Sequence, residues 1–394
     1  MFKSKLIKLL MSALLACIAI TPAGCSSTGD ANDEDGFFTK VVIAKADGSE
    51  AYTPTINADP SEDIEVALLS GEIYEVCKNY RYYITDSYNA DGVDVFAPTP
   101  LTVSWESQDT PLYYIFEIST NEDMSDAESF VTFDTSITFN YLFMGYKYYY
   151  RIQAKFEDRI VKSRIFKFST SYLPRTVFID NNVSNTRDWG GFLCSGGTQR
   201  VKQGIVYRGG KLENITESGI KVMLDDLKIK TDLDVRGDGT AGTDISPLGS
   251  GVNYIETTGP YYLGTNGIDS PNYREALLTE IRAFANADNF PIYVHCSLGR
   301  DRTGTLCFLI NALLGVNEKD LYIDYEISMM SAMGHADGQS ATNMVGSAFR
   351  GLLNYIKYYS YGSLAANTEK FMLDIGITEA EIAAIKENML EEVK

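Results

Sequence analysis

Between residues 93 and 172, apolar and polar residues alternate with a period of two, in short runs separated by turn residues. Leu101-Thr-Val-Ser-Trp105, Tyr113-Tyr-Ile-Phe-Glu-Ile-Ser119, Ser129-Phe-Val-Thr-Phe133, Ile137-Thr-Phe139, Tyr148-Tyr-Tyr-Arg-Ile-Gln-Ala154 and Ile165-Phe-Lys-Phe168 each read as a strand with one buried face. No helical period interrupts them, so this stretch predicts an all-β sandwich. From residue 176 the pattern changes. Strand runs at Val206-Tyr207, Asp232–Val235, Asn253–Glu256 and Ile292–Val294 alternate with helical ones. Helices are predicted from Thr216 to Leu227, from Ser270-Pro271 to about Ala287, and over 303–314, 318–333 and 344–358. Thr378-Glu-Ala-Glu381 has the capping-box pattern that opens a last helix. Alternation of this kind predicts an α/β fold over 176–394, a mostly parallel sheet flanked by helices. Residues 37–92 hold only short runs, Val41-Val-Ile-Ala44, Ile64-Glu-Val-Ala-Leu-Leu69 and Tyr80-Arg-Tyr-Tyr-Ile84. They are a β-rich spacer or extra strands.

Candidate chemistry is concentrated where one predicted strand meets one predicted helix. Ile292–Val294 ends at His295-Cys296, Arg302 follows, and the apolar helix pattern begins at Thr303. A strand, a short loop and a helix N-terminus form an anion site, because loop N–H groups and the first free N–H groups of the helix converge there. The helix dipole, Arg300 and Arg302 favour the nucleophilic thiolate form of Cys296. Arg302 can fork two hydrogen bonds onto a phosphoryl group. A Cys and an Arg at this spacing are a weak signal alone, since Cys194-Ser-Gly-Gly-Thr-Gln-Arg200 has it too. That copy is approached through Gly190-Gly191 and followed by a strand-like run from Val201 to Tyr207. Without a helix N-terminus it has no anion cradle, and it reads as a Gly-rich hairpin.

The loop His295-Cys-Ser-Leu-Gly-Arg-Asp-Arg-Thr-Gly304 resembles the signature of protein tyrosine phosphatases. More narrowly, it is similar to the bacterial tyrosine-phosphatase-like family whose loop reads His-Cys-x-x-Gly-Lys-Asp-Arg-Thr-Gly. Asn185-Thr-Arg-Asp-Trp-Gly-Gly191, Val206-Tyr-Arg-Gly-Gly-Lys-Leu212 and Leu227-Lys-Ile-Lys-Thr-Asp-Leu-Asp-Val-Arg236 resemble further segments of that family in the same order. The resemblance implies a tyrosine-phosphatase-like domain over residues 176–394. Cys296 would be the nucleophile, Arg302 the phosphate clamp and Asp301 the general acid, with Asp238 or Asp244 as alternatives for the acid. His295, Ser297, Leu298, Gly299, Arg300 and Thr303 would form the substrate-binding loop, with His295 orienting it from behind and Thr303 donating to the Cys296 sulfur. Arg300 stands where the family usually has Lys, a planar fork in place of a point charge, which leaves the substrate class open. Cys307 reads as core and His335 as a loop residue, and Cys194 is a candidate redox partner of Cys296. No metal or other cofactor is expected.

The N-terminus changes the setting. Lys3, Lys5 and Lys8 precede an apolar run from Leu9 to Ile20, too short to span a bilayer as a mature helix. Ala23-Gly-Cys25 then resembles a bacterial lipoprotein cleavage site, with Pro22 where Leu is usual. Residues 1–24 would be the signal peptide and Cys25 the lipidated residue; the alternative is plain secretion after ordinary cleavage. Residues 25–36, with Asp30, Asp33, Glu34 and Asp35, have the composition of an acidic tether. An acidic stretch there resembles the surface-export signal of some Gram-negative lipoproteins. The expected location is therefore a lipid anchor in the bacterial outer membrane, facing the periplasm or the cell surface. In the sandwich, Trp105 and the segment Leu142-Phe-Met-Gly-Tyr-Lys-Tyr148 resemble a fibronectin type III domain with its tyrosine corner. Its aromatics suit a core with cross-strand pairs or a carbohydrate site.

Charge and composition narrow the partners. Apolar residues make up 45% of the 394, ordinary for a globular protein. The formal charge of −19 would become −22 once Lys3, Lys5 and Lys8 are removed, which argues against nucleic acid as a partner. Two histidines, His295 and His335, leave little material for a His-rich metal site or a Ser-His-Asp scheme. The readings left open are a phosphotyrosine or dual-specificity phosphatase, an inositol-phosphate or phosphoinositide phosphatase, and a non-catalytic phospho-binding lipoprotein. For the second, Arg300, Lys202, Arg208 and Lys211 could supply pocket charge, against the acidic balance of the chain.

Overall fold

A computed structural model describes residues 36–45, 50–52, 65–66, 100–171, 174–237, 245–331, 340 and 343–393. The signal peptide, Cys25 and the tether as far as Asp35, the run Tyr80–Ile84, Asp238, Asp244 and His335 lie outside these. The described residues fall into two units, one ending at Ser171 and one beginning at 174.

In the first unit the alternating runs become strands because each can bury one face. The strands are β1 (Phe38–Lys45), β2 (Glu50–Tyr52), β3 (Glu65–Val66), β4 (Leu101–Ser107), β5 (Tyr113–Ser119), β6 (Glu128–Thr132), β7 (Ser136–Phe139), β8 (Lys147–Lys155), β9 (Ile160–Lys162) and β10 (Phe166–Thr170). They form two sheets, ordered β2-β1-β4-β7 and β3-β10-β8-β5-β6, with β9 on the edge of β8. The alternation of β4 is literal: Leu101, Val103 and Trp105 are buried while Thr102 and Ser104 are less so. One apolar cluster joins the sheets, and it contains Trp105, Phe116, Tyr148, Tyr150 and Phe168. Each such buried side chain contributes about 1.5–3 kcal/mol. The aromatic density therefore serves this core, with Phe116 stacked on Tyr150 and Tyr148 on Phe168. Tyr148 Oη accepts the Phe143 N–H at 2.9 Å, a tyrosine corner. The boundary at residue 93 needs correction. β1 pairs with the whole of β4, and Phe37, Phe38, Val41 and Ile43 belong to the same core. An eight-residue strand with this burial cannot be a spacer.

The second unit contains β11 (Arg187–Asp188), β12 (Gln199–Val201), β13 (Val206–Gly209), β14 (Thr231–Asp234), β15 (Asn253–Glu256), β16 (Ile292–His295) and β17 (Leu390–Glu392). Its main sheet runs β11-β13-β16-β14-β15, parallel except for the β11–β13 pair. β16 is central, and all four of its residues are buried, which is why it reads as a continuous apolar run. The helices are α1 (Glu217–Lys221), α2 (Arg274–Ala283), α3 (Arg302–Leu313), α4 (Glu318–Ile327), α5 (Arg350–Lys357), α6 (Leu364–Ile375) and α7 (Glu379–Met389). Thr216 caps α1, and Thr378 with Glu381 forms the capping box of α7. None of the described helices is long and apolar enough to cross a membrane.

Three expectations differ. Ser270 makes no side-chain cap, and a 3₁₀ turn at Pro271–Tyr273 precedes α2. The helix expected over 318–333 ends at Ile327, followed by a 3₁₀ turn to Met330. Helix α6 was not expected, because its inner face carries Asn367 and Thr368, both fully buried, which interrupt the apolar stripe. Asn367 Nδ2 donates to the Lys357 carbonyl and Thr368 Oγ1 to that of Leu364, which offsets the cost of burying them.

Candidate active site

The sheet delivers Cys296 to its C-terminal edge. β16 hydrogen-bonds to β13 on one side and β14 on the other, which aligns Gly209 and Asp234 with His295. The chain then turns through Ser297–Asp301 and enters α3 at Arg302. Cys296, Ser297, Leu298, Asp301 and Arg302 line a cleft of about 280 Å³ with Tyr261, a residue the sequence had not singled out. Cys296 is 4% exposed, so the cleft reaches a nearly buried sulfur. Arg302 Nη1 donates to the Arg236 carbonyl at 3.1 Å, and its guanidinium lies 5.7 Å from the Tyr261 ring centre. Both contacts restrain a long side chain at the mouth of a helix N-terminus, where an anion is favoured.

The loop shape depends on Gly299, whose φ is +70°. A Cβ there would lie 2.3 Å from the Gly209 carbonyl oxygen of β13. Behind the loop stands a set of braces. Asn185 Nδ2 donates to the Leu298 carbonyl at 2.9 Å, and Arg208 Nη2 donates to the Gly299 carbonyl at 2.8 Å. Arg208 Nη1 also meets Asp324 Oδ2 at 2.6 Å, while Arg187 Nε meets Asp324 Oδ1 at 3.0 Å. Burial would raise the Asp324 carboxyl, but Arg208 and Arg187 outweigh it and hold it below the usual range. Burial likewise opposes the charge of Arg208, and Asp324 more than offsets it. Arg187 shares that carboxylate and is brought down to about 10 by burial and by Arg208.

His295 is 1% exposed and sits behind the loop rather than in the cleft. Its Nε2 lies 3.0 Å from Asp232 Oδ1, within ion-pair range. Burial alone would push the imidazole down; Asp232 and then Asp234 hold it above its ordinary value. Asp234 in turn accepts from Arg236 Nε at 2.9 Å and Tyr254 Oη at 3.1 Å.

Other expectations also change. Arg300 is 1% exposed and does not line the cleft; it folds onto Asp301, with Nε 3.0 Å from Oδ1 and Nη2 3.3 Å from Oδ2. Thr303 Oγ1 is buried with no hydrogen-bond partner among the described residues, so the bond expected to the Cys296 sulfur is not formed. Asp301 stands at the N-cap of α3, yet its side chain makes no capping bond. Its carboxylate meets Arg300 and the Tyr262 hydroxyl instead. Of the other basic residues considered for the pocket, Arg208 is engaged by Asp324, and Lys202 donates to the carbonyls of Glu387 and Asn388 at the end of α7. Lys211 is exposed, its backbone N–H 3.4 Å from the Ser297 carbonyl.

The second cysteine motif is a hairpin. Cys194 N–H donates to the Gln199 carbonyl, Gly196 and Gly197 have positive φ, and Arg200 pairs with Glu391 of β17. Burial pushes the Cys194 thiol up to about 11. Cys194 bridges to Val316, beyond the C-terminus of α3, whereas Cys296 precedes its N-terminus. Twelve helical residues separate those ends by about 18 Å. A disulfide needs Cα atoms within about 7 Å, so Cys194 is no redox partner of Cys296. No cluster of His, Cys, Asp and Glu suited to a metal ion occurs among the described residues.

Residues 180–391, which carry this loop and its braces, match the family model described as the tyrosine phosphatase family. The chain belongs to that family. A curated relative, named as a candidate tyrosine-protein phosphatase of Cupriavidus necator, is 26% identical over 168 residues. The match covers 37% of this chain and 60% of that protein. Among solved structures, a Siw14 catalytic core is 16% identical with a TM-score of 0.23, covering 32% of this chain and 77% of that one. The core catalytic domain of the PP-IP phosphatase SIW14 from S. cerevisiae, bound to citrate, gives 16% and 0.24, covering 38% and 84%.

Proposed function

We propose that this protein hydrolyses phosphate monoesters through a cysteinyl-phosphate, with phosphotyrosine as the preferred substrate class. The observation that carries this reading is the meeting of Cys296, Asp301 and Arg302 in one cleft at a strand-to-helix junction. In the first step the Cys296 sulfur attacks phosphorus and the bond to the leaving oxygen breaks, while Asp301 gives that oxygen a proton. In the second, water attacks phosphorus, the P–S bond breaks, and Asp301 takes the water's proton. The transition state is loose, so charge neutralisation by Arg302 and the loop N–H groups contributes most.

The charge arrangement supports a substrate with one phosphoryl group. Arg300, Arg208 and Arg236 are buried beside Asp301, Asp324 and Asp234, which leaves Arg302 as the arginine that lines the cleft among the described residues. Tyr261 adds an aromatic wall suited to a phenyl ring. A polyphosphorylated inositol would need more positive charge than this. Outside the catalytic unit, the neighbours β1-β4-β7 and β10-β8-β5-β6, with Trp105 and the Tyr148 corner, support a fibronectin type III-like domain. The sequence around Cys25 supports export and a lipid anchor.

The test is phosphate release by the purified chain from residue 26, with EDTA present. A phosphotyrosine peptide, inositol hexakisphosphate and a soluble phosphoinositide are compared. Turnover lost in Cys296→Ser and kept in Cys194→Ser supports the cysteine mechanism, and the preferred compound identifies the pocket. Phosphopeptide binding without turnover of any of the three would replace it with a recognition role.

A further inference from the structure

Asp301 is held by more than its neighbour in the loop. Tyr262 Oη donates to Asp301 Oδ1 at 2.5 Å, and Arg300 Nε reaches the same oxygen at 3.0 Å. Oδ2 has the longer contact, 3.3 Å from Arg300 Nη2. Asp301 is a quarter exposed on its side chain and lines the cleft. Tyr262 itself is fixed from three directions. Its hydroxyl meets that of Tyr325 on α4, its backbone N–H donates to Thr305 Oγ1 at 3.0 Å, and its φ is +58°, an unusual value for a residue with a large side chain. Tyr325 is buried and stacks on Phe349 with ring centres 4.3 Å apart. Burial, with Tyr325 and Asp301 alongside, holds the Tyr262 phenol well above its ordinary range, so it remains a donor.

We infer that Tyr262, backed by Tyr325, is a positioning residue for Asp301: it anchors Oδ1 so that Oδ2 carries the proton to the leaving oxygen. A carboxylic acid that donates from Oδ2 has Oδ1 as its carbonyl oxygen, and that is the atom the two closer donors reach. Relaxing the strained backbone of Tyr262 would move its hydroxyl off Asp301. The inference rests on the reading of Asp301 as the general acid.

Leaving-group dependence separates the possibilities. Dinitrophenyl phosphate releases an anion that needs no proton, whereas a phosphotyrosine peptide releases one that does. Tyr262→Phe is expected to lower kcat/KM, which reports the leaving-group step and not the later hydrolysis of the cysteinyl-phosphate common to both substrates, on the order of tenfold on the peptide, the usual weight of a hydrogen bond to a charged group. It should leave dinitrophenyl phosphate within about twofold, because that leaving group bypasses the acid. Tyr325→Phe should shift in the same direction by less. Asp301→Asn should show the same substrate preference more strongly, and the double variant with Tyr262→Phe should be no slower than Asp301→Asn alone. Equal losses on both substrates in Tyr262→Phe, or losses that multiply in the double variant, would overturn the inference while the acid reading stands. Equal losses on both substrates in Asp301→Asn would remove the acid reading and the inference with it. The cysteine mechanism would still be judged by Cys296→Ser. Thermal melts of each variant identify any loss that comes from unfolding.

Discussion

Gly299→Ala tests the loop geometry directly. The added Cβ would lie 2.3 Å from the Gly209 carbonyl oxygen, 2.5 Å from its carbonyl carbon and 3.0 Å from Asn185 Nδ2. Ordinary contact needs about 3.5 Å, so something must move by about 1 Å. Gly209 is the last residue of β13, registered against His295, and it has little freedom to retreat. The loop must therefore shift, carrying its N–H groups away from the phosphoryl position. A misplacement of about 1 Å costs on the order of a hundredfold in rate. The φ of +70° adds about 1–2 kcal/mol of backbone strain for a residue with a side chain. Gly196→Ala is the control, since Gly196 has φ +105° but nothing within 4 Å of the added Cβ. It should lose about 1 kcal/mol of stability from strain alone and keep its activity. The assay is kcat/KM on a phosphotyrosine peptide, with denaturant melts of both variants. Gly299→Ala within threefold of the parent would show that the loop tolerates the shift, and the account of the cradle would fail.

Asp324→Asn should destabilise the second unit by about 3–5 kcal/mol, because it leaves Arg187 and Arg208 buried without their shared carboxylate; chemical denaturation measures it, and a loss below 1 kcal/mol would refute the brace. Burial pushes Glu280 up to about 8, against the pull of the Thr257 hydroxyl and of Arg302. Its folded state therefore keeps a proton that the unfolded chain gives up near 4.5, and stability should fall as pH rises between those values, by at most about 1.4 kcal/mol per unit. Glu280→Gln should flatten that slope, and an unchanged slope in melts from pH 5 to 8 would refute it. Tyr148→Phe should cost about 1–3 kcal/mol by leaving the buried Phe143 N–H without its phenol acceptor. Calorimetric melting of the whole chain reads it as a lowered midpoint for one transition, and an unchanged melting profile would count against the corner.

Much of the site was legible because it is local. The apolar run of β16, the loop and the apolar helix α3 are contiguous, so their order alone placed Cys296 and Arg302 at a helix N-terminus. What was illegible is long-range. Asp324 is a mid-helix acid that reads as a solvated residue until β11 and β13 bring Arg187 and Arg208 against it. Asn185 stood in a recognisable segment, but its bond to Leu298 spans 113 positions and leaves no local trace. Arg300 reads as a substrate contact because it is a cation beside a nucleophile. Its side chain is instead buried against the Asp301 carboxylate, a contact that charge pattern alone does not reveal. Tyr262 sits in a turn whose pattern predicts nothing.

These long-range contacts explain how a chain of formal charge −19 can hold a site for an anion. Arg187 and Arg208 are matched by Asp324, Arg236 by Asp234 and Glu213, and Arg300 by Asp301. The carboxylates let those guanidiniums be buried, and the guanidiniums then fix loop atoms: Arg208 holds the Gly299 carbonyl and Arg300 the Asp301 carboxylate. Burying any of them unpaired would cost several kcal/mol. Positive charge thus serves largely to fix shape, and what faces the cleft is Arg302 with the dipole of α3 behind it. On the proposed reading, electrostatic selection of the substrate acts over the size of one phosphoryl group. On the same reading, discrimination beyond that falls to Tyr261 and the rest of the cleft wall, where an aromatic leaving group would have a surface to meet.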